Sequence, residues 1–72
     1  MENYPTMETV DRVMDALYND PRTSEAMIDV SNDRGIVTLK GTVDSEEIRQ
    51  AAEHIARQQE GVTIVINAIK VS

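Results

Sequence analysis

The sequence predicts an α+β fold: a two-layer α-β-β-α-β sandwich, with two helices on one face of a three-stranded mixed sheet. Three observations predict it. Two segments repeat apolar residues at helical spacing, Val10/Val13/Met14/Leu17/Tyr18 and Ile48/Ala51/Ala52/Ile55/Ala56. Three others are short and rich in alternating or β-branched residues, and turn signals bound them. The strand–helix–strand run from residue 36 to 71 needs a crossover, which makes its two strands parallel and the connection right-handed. At 72 residues there is room for one core only.

Residues 1–6 read as a flexible polar lead-in and residues 7–72 as the single domain. Thr6 is the expected N-cap of a first helix over about residues 7–19, and Glu8 suits the positive end of its dipole. Pro21 stops that helix, because it pushes Asp20 out of the α region. Residues 26–31 alternate, with Ile28 and Val30 on one face. Asn32-Asp33-Arg34-Gly35 is a turn in which Gly35 takes the positive φ, so the first two strands form a hairpin. The second strand, Ile36 to Val43, puts Val37, Leu39 and Val43 in phase. Gly41 shares that phase without a side chain, and predicts close packing over it or a bulge. Asp44-Ser45-Glu46-Glu47 reads as a capping box with Asp44 at the cap, and Gly61 as the C′ residue of the second helix. Val62 to Val71 is the third strand.

Composition excludes several functions. Seven Lys+Arg against thirteen Asp+Glu give a net charge of −6, with no Cys, Trp or Phe and only Tyr4 and Tyr18 as aromatics. Nucleic-acid binding needs a basic footprint or stacking platforms, so no such partner is expected. Disulfides and Cys-ligated zinc are ruled out. No apolar run approaches the ~18 residues of a membrane span. Met1 is not followed by a basic and then an apolar region, so a cytoplasmic location is expected for the chain as written. For a piece of a longer exported protein, the expectation is periplasm or envelope.

The segment Gly35-Ile36-Val37-Thr38-Leu39-Lys40-Gly41-Thr42-Val43 resembles the G-x-V-x-L-x-G-x-V pattern of the BON domain, the bacterial OsmY-and-nodulation module. The resemblance continues through Ala52, Ala56 and Gly61-Val62, and closes with Val65-Ile66-Asn67-Ala68-Ile69-Lys70-Val71, similar to V-x-N-x-I-x-V. It implies an α-β-β-α-β domain that is not an enzyme, and a module that binds phospholipid or another envelope component. Gly35, Gly41 and Gly61 are read as structural glycines, serving a turn, close packing and a helix cap.

No catalytic, cofactor or metal site is expected. His54, the only histidine, lies off the apolar stripe with Gln50 and Gln58 as neighbours, and Ser24, Ser31, Ser45 and Ser72 lack any nucleophile-elbow context. The run from Asp29 to Gly35 has calcium-loop character, but its glycine falls one position late and Lys40 stands where the bidentate acid belongs. The informative segment is the third strand, where both phases are aliphatic and only one can face the helices. The family pattern implies that Val65, Ile69 and Val71 face inward.

Ile64 and Ile66 then stand on the open face beside Ile36 and Thr38. With Arg49 and Arg57 of the second helix, these residues form the expected interaction surface. Its expected partners are anionic phospholipid, an envelope protein or a second copy of the chain. Charge opposes the first of these unless a basic patch is assembled, for which Arg22, Arg34, Arg49 and Lys40 are the candidates. The alternative function is a cytosolic cation- or metabolite-sensing domain acting through oligomerisation.

Overall fold

A computed structural model describes residues 5–72, with side chains from Glu8 onward. The elements are α1 (Pro5–Asn19), β1 (Ile28–Asp33), β2 (Ile36–Val43), α2 (Glu46–Arg57) and β3 (Ile64–Val71). Strand order is β1-β2-β3, with β1 antiparallel and β3 parallel to the central β2. Helix α1 packs on β1, α2 packs on β2 and β3, and the helices touch each other. This is the α+β fold expected.

Helix α1 begins at Pro5, so Thr6 lies inside its first turn and not at the cap. Proline suits a first turn, where its missing N–H has no intrahelical acceptor to lose. Residues 1–4 of the expected lead-in lie outside the described residues. The helix buries Thr9, Val13 and Leu17. Met14 and Tyr18, expected in the same stripe, are instead 48% and 72% exposed. The reason is the width of the sheet: β1 is an edge strand, so among the described residues no strand lies beneath that flank of α1.

The connection from α1 to β1 is held by Thr23, which is 1% exposed and donates its hydroxyl to the Leu17 carbonyl at 2.5 Å. That carbonyl is among the last four of the helix, which have no helical donor. Strand β1 starts at Ile28, two residues later than the alternation suggests. Ala26 is already committed to the turn, its N–H donating to the Thr23 carbonyl at 3.0 Å.

Asn32 and Asp33 belong to β1, and the hairpin loop is the two residues Arg34 and Gly35. Their φ values of 57° and 92° are both left-handed, as a type I′ turn requires. Asn32 Oδ1 supports the turn by accepting from the Gly35 N–H at 2.9 Å. The Gly35 carbonyl in turn accepts from Thr63 and Ile64 N–H at 2.8 and 3.1 Å, which sets where β3 begins. Ile64, two residues after the expected start, is its first residue.

The N-cap of α2 is Ser45, whose hydroxyl accepts from the Ile48 N–H at 3.2 Å, so the cap falls one residue after Asp44. Ala51, Ala52 and Ala56 are buried, and their size lets the helix lie close to the sheet. The helix ends at Arg57 with Gln58 as C-cap. Gly61 is therefore not its C′ residue; it sits in the next turn, against Thr9 of α1.

Val37, Leu39, Val43, Ile55, Ile69, Val13 and Leu17 meet between the layers. Burying one such side chain stabilises the fold by about 1.5–3 kcal/mol. Val65 and Ile69 of β3 face inward. Val71 shares their phase but is 42% exposed, being the last residue of an edge strand.

Candidate functional site

Among the described residues, no helix covers the second face of the sheet. In the β2–β3 register Ile36 lies opposite Ile64 and Thr38 opposite Ile66, so these four are neighbours on that open face. The three isoleucines are 38%, 53% and 48% exposed, while Thr38 is half-buried. Arg49 and Arg57 do not join them. Both belong to α2, which covers the inner face, so the six residues expected to form one surface lie on two sides of the sheet.

Each arginine has a carboxylate within 4.0 Å. Arg49 lies 3.6 Å from Glu46, Arg57 3.5 Å from Glu53, Arg22 3.0 Å from Asp20, Arg34 3.8 Å from Asp33, and Arg12 3.9 Å from Glu8. Lys40 and Lys70 are the cations with no such carboxylate among the described residues. Both project from the open face, and they flank a shallow depression floored by Gly41, Thr42 and Ala68. Lys40 was the one residue of the anticipated basic patch to reach this face; Lys70 was not anticipated. Adjacent places in a parallel register bring the two together, a proximity that sequence spacing does not reveal. The face is therefore graded, with lysines and isoleucines on β2 and β3, and Asp29 and Asp33 on β1.

The outer side of α2 is a polar cluster of Glu46, Arg49, Gln50, Glu53, His54 and Arg57. His54 is exposed, its Nε2 3.3 Å from the Gln58 amide nitrogen. Beneath the cluster lies Asn67, half-buried on the inward phase of β3. Its amide nitrogen donates to the Arg49 carbonyl and to Glu53 Oε1, at 3.1 and 3.2 Å. Asn67 is thus a brace between strand and helix.

Asp20 is the carboxylate whose environment changes most. It accepts from the Arg22 Nε and Nη2 at 3.0 Å each and from the Arg22 backbone N–H at 2.8 Å. Those hydrogen bonds, led by the side-chain pair, pull its pKa down to about 2. Among the described residues, no group of three or more His, Cys, Asp and Glu side chains is placed to hold a metal ion. No helix among the described residues is long and apolar enough to cross a membrane.

Gly41, on the core phase of β2, approaches the chain closely where it enters β1. A Cβ built there would stand 2.5 Å from the Met27 carbonyl oxygen. The close packing expected at this position comes from the backbone leading into β1. A hairpin with a glycine-bounded central strand, a tight α2 and an asparagine-braced parallel β3 make up the frame that carries the open face.

No curated protein matches the chain. The family model described as BON domain matches residues 8–72. That match runs from the first turn of α1 to the last residue and takes in every strand, and by it this chain belongs to the BON domain family.

Proposed function

We propose that this BON domain is a non-catalytic binding module that lays its open sheet face on an anionic phospholipid surface. One observation carries the reading. Exposed Ile36, Ile64 and Ile66 share a face with Lys40 and Lys70, the two cations not engaged by a carboxylate among the described residues. Isoleucines at the boundary of headgroup and acyl chain gain from burial, and each lysine near an anionic surface adds about 1 kcal/mol. The net charge of −6 works against this docking, as does Asp29, which lies directly opposite Lys40 in the β1–β2 register. The contact is therefore made from the β3 side, where Lys70, Ile64 and Ile66 lie farthest from the acids of β1. The second helix, initially expected to share the contact, is left out of it by its paired arginines.

The test is sedimentation with vesicles of phosphatidylcholine, with and without phosphatidylglycerol. Binding is expected only with the anionic lipid, and it should fall with added salt and in Ile64→Glu and Lys70→Glu. Equal binding to both vesicles, or variants that bind as the parent does, would sink the reading. Concentration-dependent self-association removed by Ile64→Glu would assign the face to a second copy. Stabilisation by one cation beyond equal ionic strength of another would favour the sensing role.

A further inference from the structure

The free edge of β1 and the uncovered flank of α1 form a second surface, separate from the lysine–isoleucine half of the open face. Met14 and Tyr18 stand on that flank, and Met27, 86% exposed, closes its end. With Leu17, Glu25 and Ile28 they line an open groove of about 420 Å³. Methionine adapts its shape to different guests, and tyrosine adds a large apolar face at small entropic cost. Among the described residues, the groove lies beside an unpaired strand edge. Ladder hydrogen bonds alternate along an antiparallel pair, counted from Asp33↔Ile36 at the two-residue turn. The alternation turns the backbone N–H and C=O groups of Ile28, Val30 and Asn32 outward.

We infer that this edge receives an extended, basic segment of a partner protein, which adds a fourth strand beside β1. The pleat specifies the guest. Side chains of an added strand that point inward extend the helix layer and meet Met14 and Tyr18, so they must be apolar. Those that point outward lie beside Asp29 and Asp33 of β1, with Glu25 at the groove, so they must be cationic. Asp29 lies opposite Lys40 in the β1–β2 register without closing an ion pair within 4.0 Å. Glu25 has no cation within that distance among the described residues, and Asp33 meets Arg34 at 3.8 Å, both highly exposed. Acidic charge on this side matches a basic guest and disfavours an anionic membrane. It also disfavours a second copy of this edge, which would bring like charges together.

The probe is an eight-residue peptide alternating valine and lysine, titrated into the labelled domain and followed by amide and methyl NMR. Saturable shifts should be confined to residues 28–33 and to the Met14 and Met27 methyls. Replacing the lysines of the peptide by glutamate should weaken binding at least tenfold, as should Asp29→Lys in the domain. Strand addition also demands an asymmetry: N-methylating one alternating set of peptide amides should abolish binding, while methylating the other set is tolerated. Equal binding of the lysine and glutamate peptides, equal effects of the two methylation sets, or shifts centred elsewhere would overturn the inference. So would protection of the Met14 methyl by anionic vesicles or by raising the protein concentration alone.

Discussion

Asn67 of β3 and Glu53 of α2 are joined by a hydrogen bond of 3.2 Å across the interface between sheet and helix. The same amide nitrogen donates to the Arg49 carbonyl at 3.1 Å, and Oδ1 accepts from the Ile69 N–H at 3.1 Å. A polar side chain on the inward phase of a strand would otherwise cost free energy; here both ends of its amide are satisfied. Asn67 holds the parallel strand and its crossover helix in one relative position.

Removing this brace should loosen α2 from β3 without unfolding the domain. Asn67→Ala is expected to lower stability by about 1–3 kcal/mol, because it leaves partly buried partners with poorer hydrogen bonding. Urea unfolding with an unchanged m-value measures it. Amide exchange should rise most in α2 and β3. An unchanged midpoint would show that water replaces the amide at no cost.

Gly41 admits no side chain without movement of β1. A Cβ there would meet the Met27 carbonyl oxygen at 2.5 Å, and its φ of +149° is one that side chains disfavour. Gly41→Val should therefore destabilise the domain by about 1–3 kcal/mol through overpacking. Thermal unfolding checks this, and parental stability would mean that the residues before Ile28 simply move aside.

Thr23→Val keeps the shape of a side chain that is 1% exposed and removes only its hydroxyl. The Leu17 carbonyl then loses its 2.5 Å donor at the C-terminus of α1. About 1–2 kcal/mol of stability should go with it. Faster amide exchange should appear at Asn19 and in the loop to residue 26 before it appears in β2. A loss spread evenly over the domain would place the hydrogen bond's effect elsewhere.

The residues of these predictions differ in how legible they were. Gly41 was conspicuous, because a glycine in the core phase of a strand implies that something comes close. The turn at Gly35 was equally plain from its chemistry. Asn67 and Thr23 left less trace: their hydrogen bonds join residues 18 and 6 positions apart, and no periodicity reports such pairs. Met14 and Tyr18 misled because helical spacing identifies a stripe but not the width of the sheet beneath it. The two phases of β3 were ambiguous by composition alone, and the likeness to a family pattern was what separated Val65 and Ile69 from Ile64 and Ile66. Lys70 was missed as a neighbour of Lys40 because strand register is a tertiary fact.

On the open face, large polar changes should be tolerated by the fold. Ile66→Glu removes an isoleucine that is 48% exposed and meets solvent on one side. Its free energy of unfolding should change by no more than about 1 kcal/mol, since surface substitutions away from special features have small effects. Leu39→Ala, at 0% exposure on the other face of the same sheet, should cost about 2–5 kcal/mol. Comparable losses in the two variants would show that Ile66 is packed more tightly than its exposure indicates.

Asp20 gives the pH-dependent prediction. Hydrogen bonds from the Arg22 side chain lower its pKa from 3.8 to about 2 in the folded protein. An acid whose folded pKa is depressed stabilises the native state fully above its unfolded pKa and loses that contribution as pH falls through the folded value. The relevant window therefore runs from near pH 4 down to about pH 2. The pair is solvent-exposed, so its effect on stability should be small and weakened by salt. The carboxyl titration should be clear nevertheless: carbon-detected NMR should place the Asp20 midpoint about two pH units below an ordinary aspartate. Arg22→Ala should return the midpoint toward 3.8, the unperturbed value. An Asp20 midpoint already ordinary in the parent protein would mean that the Arg22 fork is open in solution.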